Sequence, residues 1–262
     1  MLELFRYGAR HRLKGAAYIS AGISLLAALV IWVFPSFQQS INIDQMLEAY
    51  PEPVLKAFGI ETMATLEGFL AVELYAFAWV ILLGLYTAYA SASIVSDAVE
   101  HDRMDLWLAL PVRRWRLLVE QFLTMLVPIL AVNAVTPVVV YAGSVLIDDP
   151  LPVADLVMVH AFSVPYLLAT GAIGLVLGVV FSRSAIAERA ALALVFGLFL
   201  SESLLTDTEY EWVGGVSPTR YYPVNDILIR GQYDYVSAAV LLAATVALVG
   251  LAAVLFARKD IR

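Results

Sequence analysis

The sequence predicts an all-α integral membrane protein with six transmembrane helices and both termini cytoplasmic. Three observations predict it. The 262-residue chain is 61% hydrophobic and only 15% charged, with a mean hydropathy of +0.83, whereas ordinary soluble domains carry roughly 25% charged residues. A soluble globule of this size cannot bury so much apolar surface, so the excess faces lipid. Six apolar segments each come near or exceed the roughly 20 residues needed to cross a hydrocarbon core. Lys and Arg fall on alternate connections between these segments, which fixes the orientation. With no cysteine there is no thiolate metal site or redox motif. The net charge of −7 argues against a nucleic-acid-binding surface.

Residues 1–15 place Leu2, Phe5, Ala9 and Leu13 between Arg6, Arg10, Arg12 and Lys14. They read either as an amphipathic helix lying on the inner membrane surface or as a basic, topology-setting flank. The first span is expected at 16–34. It ends at Pro35 without a small-residue cleavage site and is followed by five more spans, so it is read as a helix rather than a signal peptide. An outer loop, 35–67, holds two short helical patterns at 44–50 and 54–58 separated by Pro51 and Pro53. The second span is expected at 69–91. The third, 117–147, would be about 46 Å long at 1.5 Å per residue and must tilt, kink or project. Pro128 and Pro137 mark its kinks. The fourth, fifth and sixth spans are expected at 153–181, 190–206 and 236–256, with a second outer segment at 207–235.

On this arrangement 13 of the 16 basic residues lie inside, leaving Lys56, Arg220 and Arg230 outside. The outer face instead carries 13 of the 23 acidic residues. Such an acidic face suggests a host living in high salt, where dense hydrated carboxylates keep a surface soluble.

The cytoplasmic connection between spans two and three is the most informative. Asp102 is suited to cap a short helix, Asp105 falls in its first turn, and Pro111 ends it. Met104, Leu106, Trp107, Leu108 and Leu110 make that 102–110 helix apolar on several sides, on a charged stem that includes Glu100 and Arg103. Such a surface needs burial, in the interface or in a groove on a second protein.

Asp105-Leu-Trp-Leu-Ala-Leu-Pro-Val-Arg-Arg114 resembles the E-x-L-L-x-x-P-V-x-R signature of ABC-2 type transporter permeases. Ser217-Pro-Thr-Arg-Tyr-Tyr-Pro-Val-Asn-Asp-Ile-Leu-Ile-Arg-Gly231 resembles the segment before that family's last helix, and Phe256-Ala-Arg-Lys-Asp-Ile261 resembles its usual ending. Where the family has Gly-Thr before the acidic residue, this chain has Asp102-Arg103, which implies altered electrostatics in the partner groove. The resemblance spans the whole chain. It implies a type V exporter-like half-transporter in the cell membrane, paired with a second copy (a homodimer) or a paralogous permease. The 102–110 helix, with Glu100, Pro111 and Arg113 beside it, would be the coupling helix docked on a separate ABC ATPase subunit. ATP and Mg belong to that partner, and no cofactor is expected in this chain, which has no G-x-x-x-x-G-K-[ST] phosphate loop.

Ionisable residues within spans are functional candidates. Glu73 and Glu202 lie near outer span ends and are either hydrated at the interface or functional. His160 is either a packing histidine or part of a path. Asn133 and Thr136 sit in the kinked middle of span three and either satisfy backbone freed by proline or touch substrate. Tyr75, Trp79, Tyr86 and Tyr89 recur at helical spacing; this stripe either packs on another helix or, with Asn133 and His160, lines a path for an amphipathic or lipid-like solute. Trp212, Gly214 and Gly215 are either interfacial anchors or a re-entrant outer gate. Gly171, Gly174 and Gly178 read as close helix packing. Two other functions compete. An intramembrane enzyme lacks a catalytic constellation, since His11, His101 and His160 fall in different compartments. A membrane anchor or immunity-type module would share the partner-docking helix without moving a solute.

Overall fold

The computed structural model describes residues 3–40, 55, 60–101, 104 and 112–259. Within them the chain is helical, with six helices long and apolar enough to cross a membrane. We number these α1 (Glu3–Ser40), α2 (Leu66–Glu100), α3 (Arg114–Leu146), α4 (Val153–Val180), α5 (Ser184–Leu205) and α6 (Tyr235–Arg258). Glu3 and Lys259, the ends of the described chain, lie at one end of the bundle, here the terminal end; the α3–α4 and α5–α6 connections lie at the far end. The surface carries the apolar belt that lipid requires, with Tyr18, Leu25, Trp32, Val138, Leu146 and Val246 all largely exposed.

Helix α4 is the centre of the bundle: 67% of its apolar stretch is buried, against 17% for α5. It runs parallel to α2, and small residues set their spacing. A Cβ on Gly174 would lie 2.0 Å from the Ala88 carbonyl oxygen, and one on Gly178 would lie 2.2 Å from that of Ala92. The Thr87 and Thr170 hydroxyls bond across the same seam at 2.8 Å. The close-packing reading of these glycines is what the backbone geometry requires. Ala88 and Ala92 also meet Ala187, Ala191 and Val195 of α5. Along the other side α1 runs parallel to α3, joined by Arg12 Nε to Thr124 Oγ1 at 2.8 Å and by the Ser24 and Thr136 hydroxyls at 3.1 Å.

The helices run further than their apolar stretches suggest. Residues 3–15 are not a separate surface helix but the first turns of α1, and Arg12 and Gly8 pack on Thr124 of α3. Pro35 does not end α1, which continues to Ser40; a proline inside a helix removes one donor, and the chain carries on for a further turn. Helix α2 extends to Glu100, and α5 begins at Ser184 instead of 190. In α3 the two prolines differ. The ladder breaks at Thr124–Met125, where bonds tighten to i→i+3, because the Pro128 ring crowds the Thr124 carbonyl four residues back. Pro137 sits within an uninterrupted helix.

One expectation is corrected by helix type. Ala71–Leu83 is π-helical, and its wider turns rotate α2 less per residue than an α-helix does. Tyr75 and Trp79 are therefore buried, while Tyr86 turns toward Arg12 and Tyr89 is exposed. The four aromatics do not form one stripe. The 44–50 and 54–58 helical patterns, apart from Leu55, and the 102–110 helix, apart from Met104, fall outside the described residues.

Candidate functional site

Three sets of residues gather the chemistry. The first is a cavity of about 590 Å3 at the far end, between α2, α5 and the segment 219–230. After α5 the chain turns through Asp207, in the left-handed region at φ 59°, and folds back along the bundle. Ser217 accepts from the Thr219 amide and so caps a 3-10 turn, Pro218–Tyr221. A short helix, Val224–Leu228, follows. Tyr222 anchors this segment: its ring stacks on Tyr166 at 5.5 Å, its hydroxyl donates to the Val159 carbonyl at 3.0 Å, and burial pushes its pKa up. The cavity wall is apolar through Val72, Phe77, Val80, Ile81 and Phe199, and its charged groups are Glu61, Glu73, Glu202, Arg220, Asp226 and Arg230. Arg230 binds Glu61 at 2.8 Å and also Asp226; its hydrogen bond to Asp226, then the charge of Glu61, raises its pKa. Arg220 spends its guanidinium on Glu211, reaching the side chain at 2.8 Å and the backbone oxygen at 3.0 Å.

The second set is a polar cluster inside the bundle. The Trp79 indole N–H donates to Asn133 Oδ1 at 3.2 Å, and the Ser163 hydroxyl lies 2.8 Å from the same oxygen. The His160 ring meets Tyr75 and Trp79 edge-on at 5.4 and 5.1 Å, and its Nδ1 lies 2.8 Å from the Leu156 carbonyl oxygen. The Tyr75 hydroxyl and His160 Nε2 are buried without a hydrogen-bond partner among the described residues. Four of the five residues expected to line a path, Tyr75, Trp79, Asn133 and His160, thus come together, but in the packed interior and not on the cavity wall. Tyr86 stands apart, beside Arg12.

The third set lies at the terminal end, around the segment that resembles a coupling helix. Glu100 Oε2 accepts from the backbone amide of Ser184 at 2.7 Å, tying the end of α2 to the start of α5. Arg114 Nη1 donates to the Lys259 carbonyl at 3.2 Å, and Lys259 Nζ donates to the Val179 carbonyl at 2.6 Å. Arg113 occupies the N-cap position of α3 in extended backbone, and Met104 is buried in the main core. Asp102, Arg103, Asp105, Leu106, Trp107, Leu108, Leu110 and Pro111 fall outside the described residues.

A family profile described as ABC-2 family transporter protein matches residues 23–261. The chain belongs to the ABC-2 transporter family. It is therefore a permease component of an ABC transporter, a multi-pass protein of the cell membrane and not the catalytic ATPase, and membership implies a partner ATPase subunit. No match was found among curated proteins. In this ABC-2 permease the described parts of the three motif segments occupy two places. Arg114 and Lys259, 145 residues apart, meet at the terminal end, while 217–231 supplies one side of the far-end cavity. Trp212 is 75% exposed and does not line that cavity. Gly214 packs against Glu202, which does, and the Gly215 carbonyl accepts from Tyr221 at 2.8 Å.

Sequence reasoning singled out Glu73 and Glu202 one at a time and did not join them. It passed over Phe77 and Phe199, and read Arg220 and Arg230 only as outer basic residues within the 217–231 motif. A signal existed for one wall: Glu73, Phe77 and Ile81 recur every four residues and share a helix face.

Proposed function

We propose that this ABC-2 permease is the membrane half of an exporter driven by ATP hydrolysis in a separate subunit. Two copies, or one copy and a paralogue, surround a central path. Each docks through residues 102–110 on an ATPase subunit that holds ATP and Mg. The terminal end is cytoplasmic on this reading, since the sequence assigns 13 of the 16 basic residues to that side of the membrane. Coupling requires that the ATP-bound partner favour one permease conformation over the other.

The observation that carries the reading is what flanks the docking segment. On one side Glu100 holds α5 through Ser184, and on the other Arg114 holds the end of α6 through Lys259. A displacement of the segment is thereby passed to α2, α5 and α6 together. Helices α2 and α5 are also the pair that flank the far-end cavity, so a load applied at one end reaches a binding space at the other.

The test is reconstitution of the permease with its ATPase partner. Trp107→Asp and Leu108→Asp are expected to leave ATP hydrolysis running while transport is lost. Normal hydrolysis and normal transport in both variants would refute the docking role. A permease that purifies with no ATPase, and whose removal leaves solute movement unchanged, would favour a membrane anchor.

A further inference from the structure

The charge balance of the far-end cavity is unfinished. Arg230 bridges Glu61 and Asp226, one positive charge against two negative ones, and Arg220 is engaged by Glu211. Glu202 has no ion pair of its own: it receives the Thr206 hydroxyl at a long 3.4 Å and feels the charge of Arg220 from beyond ion-pair distance, and Glu73 makes no ion pair or hydrogen bond among the described residues. Two carboxylates therefore enter one cavity without a salt bridge, each next to an apolar wall, and the cavity holds four carboxylates against two guanidinium groups. Glu73 sits one turn from Phe77 on α2, and Glu202 sits one turn from Phe199 on α5.

We propose that this cavity binds an amphipathic organic cation, a bulky apolar body bearing one positive charge. Binding is a property of this chain, whichever partner drives it. Charge selects the sign: a cation supplies what Glu73 and Glu202 lack, while an anion would add a like charge in a partly dewatered space where repulsion is strong. The wall selects the body. A hydrated inorganic ion would leave Phe77, Val80, Ile81 and Phe199 uncovered. Among the described residues no three His, Cys, Asp or Glu side chains are grouped to replace such an ion's water. Phe77 and Phe199 also bring aromatic rings, which attract soft cations, to the cavity wall. Volume sets the scale, since about 590 Å3 falls within the range of small-molecule sites and is too small for a folded peptide or a glycan chain.

The experiment uses the purified full-length permease in phosphatidylcholine nanodiscs with two probes of the same shape and opposite charge, tetraphenylphosphonium and tetraphenylborate. Tetraphenylphosphonium is expected to bind saturably at one site per chain, and tetraphenylborate is not. The Glu73→Gln, Glu202→Gln double variant is expected to lose at least tenfold in affinity for the cation. Phe77→Ala with Phe199→Ala should also weaken it while both carboxylates remain. Glu73→Lys, at an exposed position that any long side chain fits, places a cation in the cavity and is expected to abolish binding. This single variant decides the matter if the double variant does not purify. Equal binding of the two probes, non-saturable uptake of the cation, or unchanged affinity in Glu73→Lys would overturn the proposal. Coupled ATP hydrolysis is measured separately, so its loss or survival bears on the exporter reading and not on this site.

Discussion

Replacing Gly174 by Ala adds one methyl group at the tightest contact of any described glycine. The new Cβ would stand 2.0 Å from the Ala88 carbonyl oxygen, 2.7 Å from its carbon and 2.9 Å from its Cα. All three are backbone atoms of α2, so no side chain can swing aside. Restoring ordinary contact at 3.4 Å requires α2 and α4 to separate by about 1.4 Å at this crossing. Overpacking of this kind costs about 1–3 kcal/mol. The same separation stretches the Thr87–Thr170 hydrogen bond one turn away, now 2.8 Å, and an interhelical bond within a membrane contributes about 0.6 kcal/mol on average. Against this stands the better helix propensity of Ala, worth up to about 1 kcal/mol. The net expectation is a destabilisation of about 1–3 kcal/mol. Thermal unfolding in nanodiscs, followed by tryptophan fluorescence, reads it as a lower Tm. Gly197→Ala and Gly250→Ala are the internal controls, because nothing lies within 4 Å of the added atom at either site; they are expected to be neutral or slightly stabilising. A Gly174→Ala protein that melts with the two controls would refute the claim that backbone contact sets the α2–α4 spacing.

Three further outcomes follow from hydrogen bonding. Tyr75→Phe removes a buried hydroxyl that has no partner among the described residues and is expected to leave Tm unchanged or raise it. Tyr222→Phe breaks the bond to Val159 and should cost about 1 kcal/mol; the opposite ranking would show that the Tyr75 hydroxyl is satisfied. Asp234 caps α6, accepting from the Val236 and Ser237 amides at 2.9 and 3.1 Å and from the Ser237 hydroxyl at 2.7 Å. The Ser237 hydroxyl first, then the amides, hold its pKa below the ordinary 3.8. Its folded-state pKa is thus lower than its unfolded one, so the stabilisation is complete above pH 3.8 and lost as pH falls below it. Asp234→Ala is expected to cost about 1 kcal/mol at neutral pH, and the gap in Tm to wild type should close on acidification; a constant gap would place the effect elsewhere.

The spans were legible in the sequence because facing lipid is a matter of composition, and an apolar run of about 20 residues has few other uses. Their ends were less legible. Polar turns such as 3–15 in α1 and 184–189 in α5 stay helical because neighbouring helices hold them, as Thr124 holds Arg12 and Glu100 holds Ser184; hydropathy does not register such contacts. The aromatic stripe of α2 was misread for a different reason. Spacing converts to faces only if the helix type is known, and a π-helical stretch changes the conversion within α2.

What the sequence determined alone was the membrane location, the six helices and, through its motif segments, the transporter family. These are carried by composition and by runs of adjacent residues, so no folded partner is needed to express them. The tertiary structure alone decided which charges remain uncompensated. The cavity draws on residues 61–81, 199–206 and 219–230, and whether Glu73 or Glu202 has a counter-ion depends on which carboxylates capture Arg220 and Arg230. That is a contest of distances between segments far apart in the chain, settled only when α2, α5 and the returning far-end segment pack together.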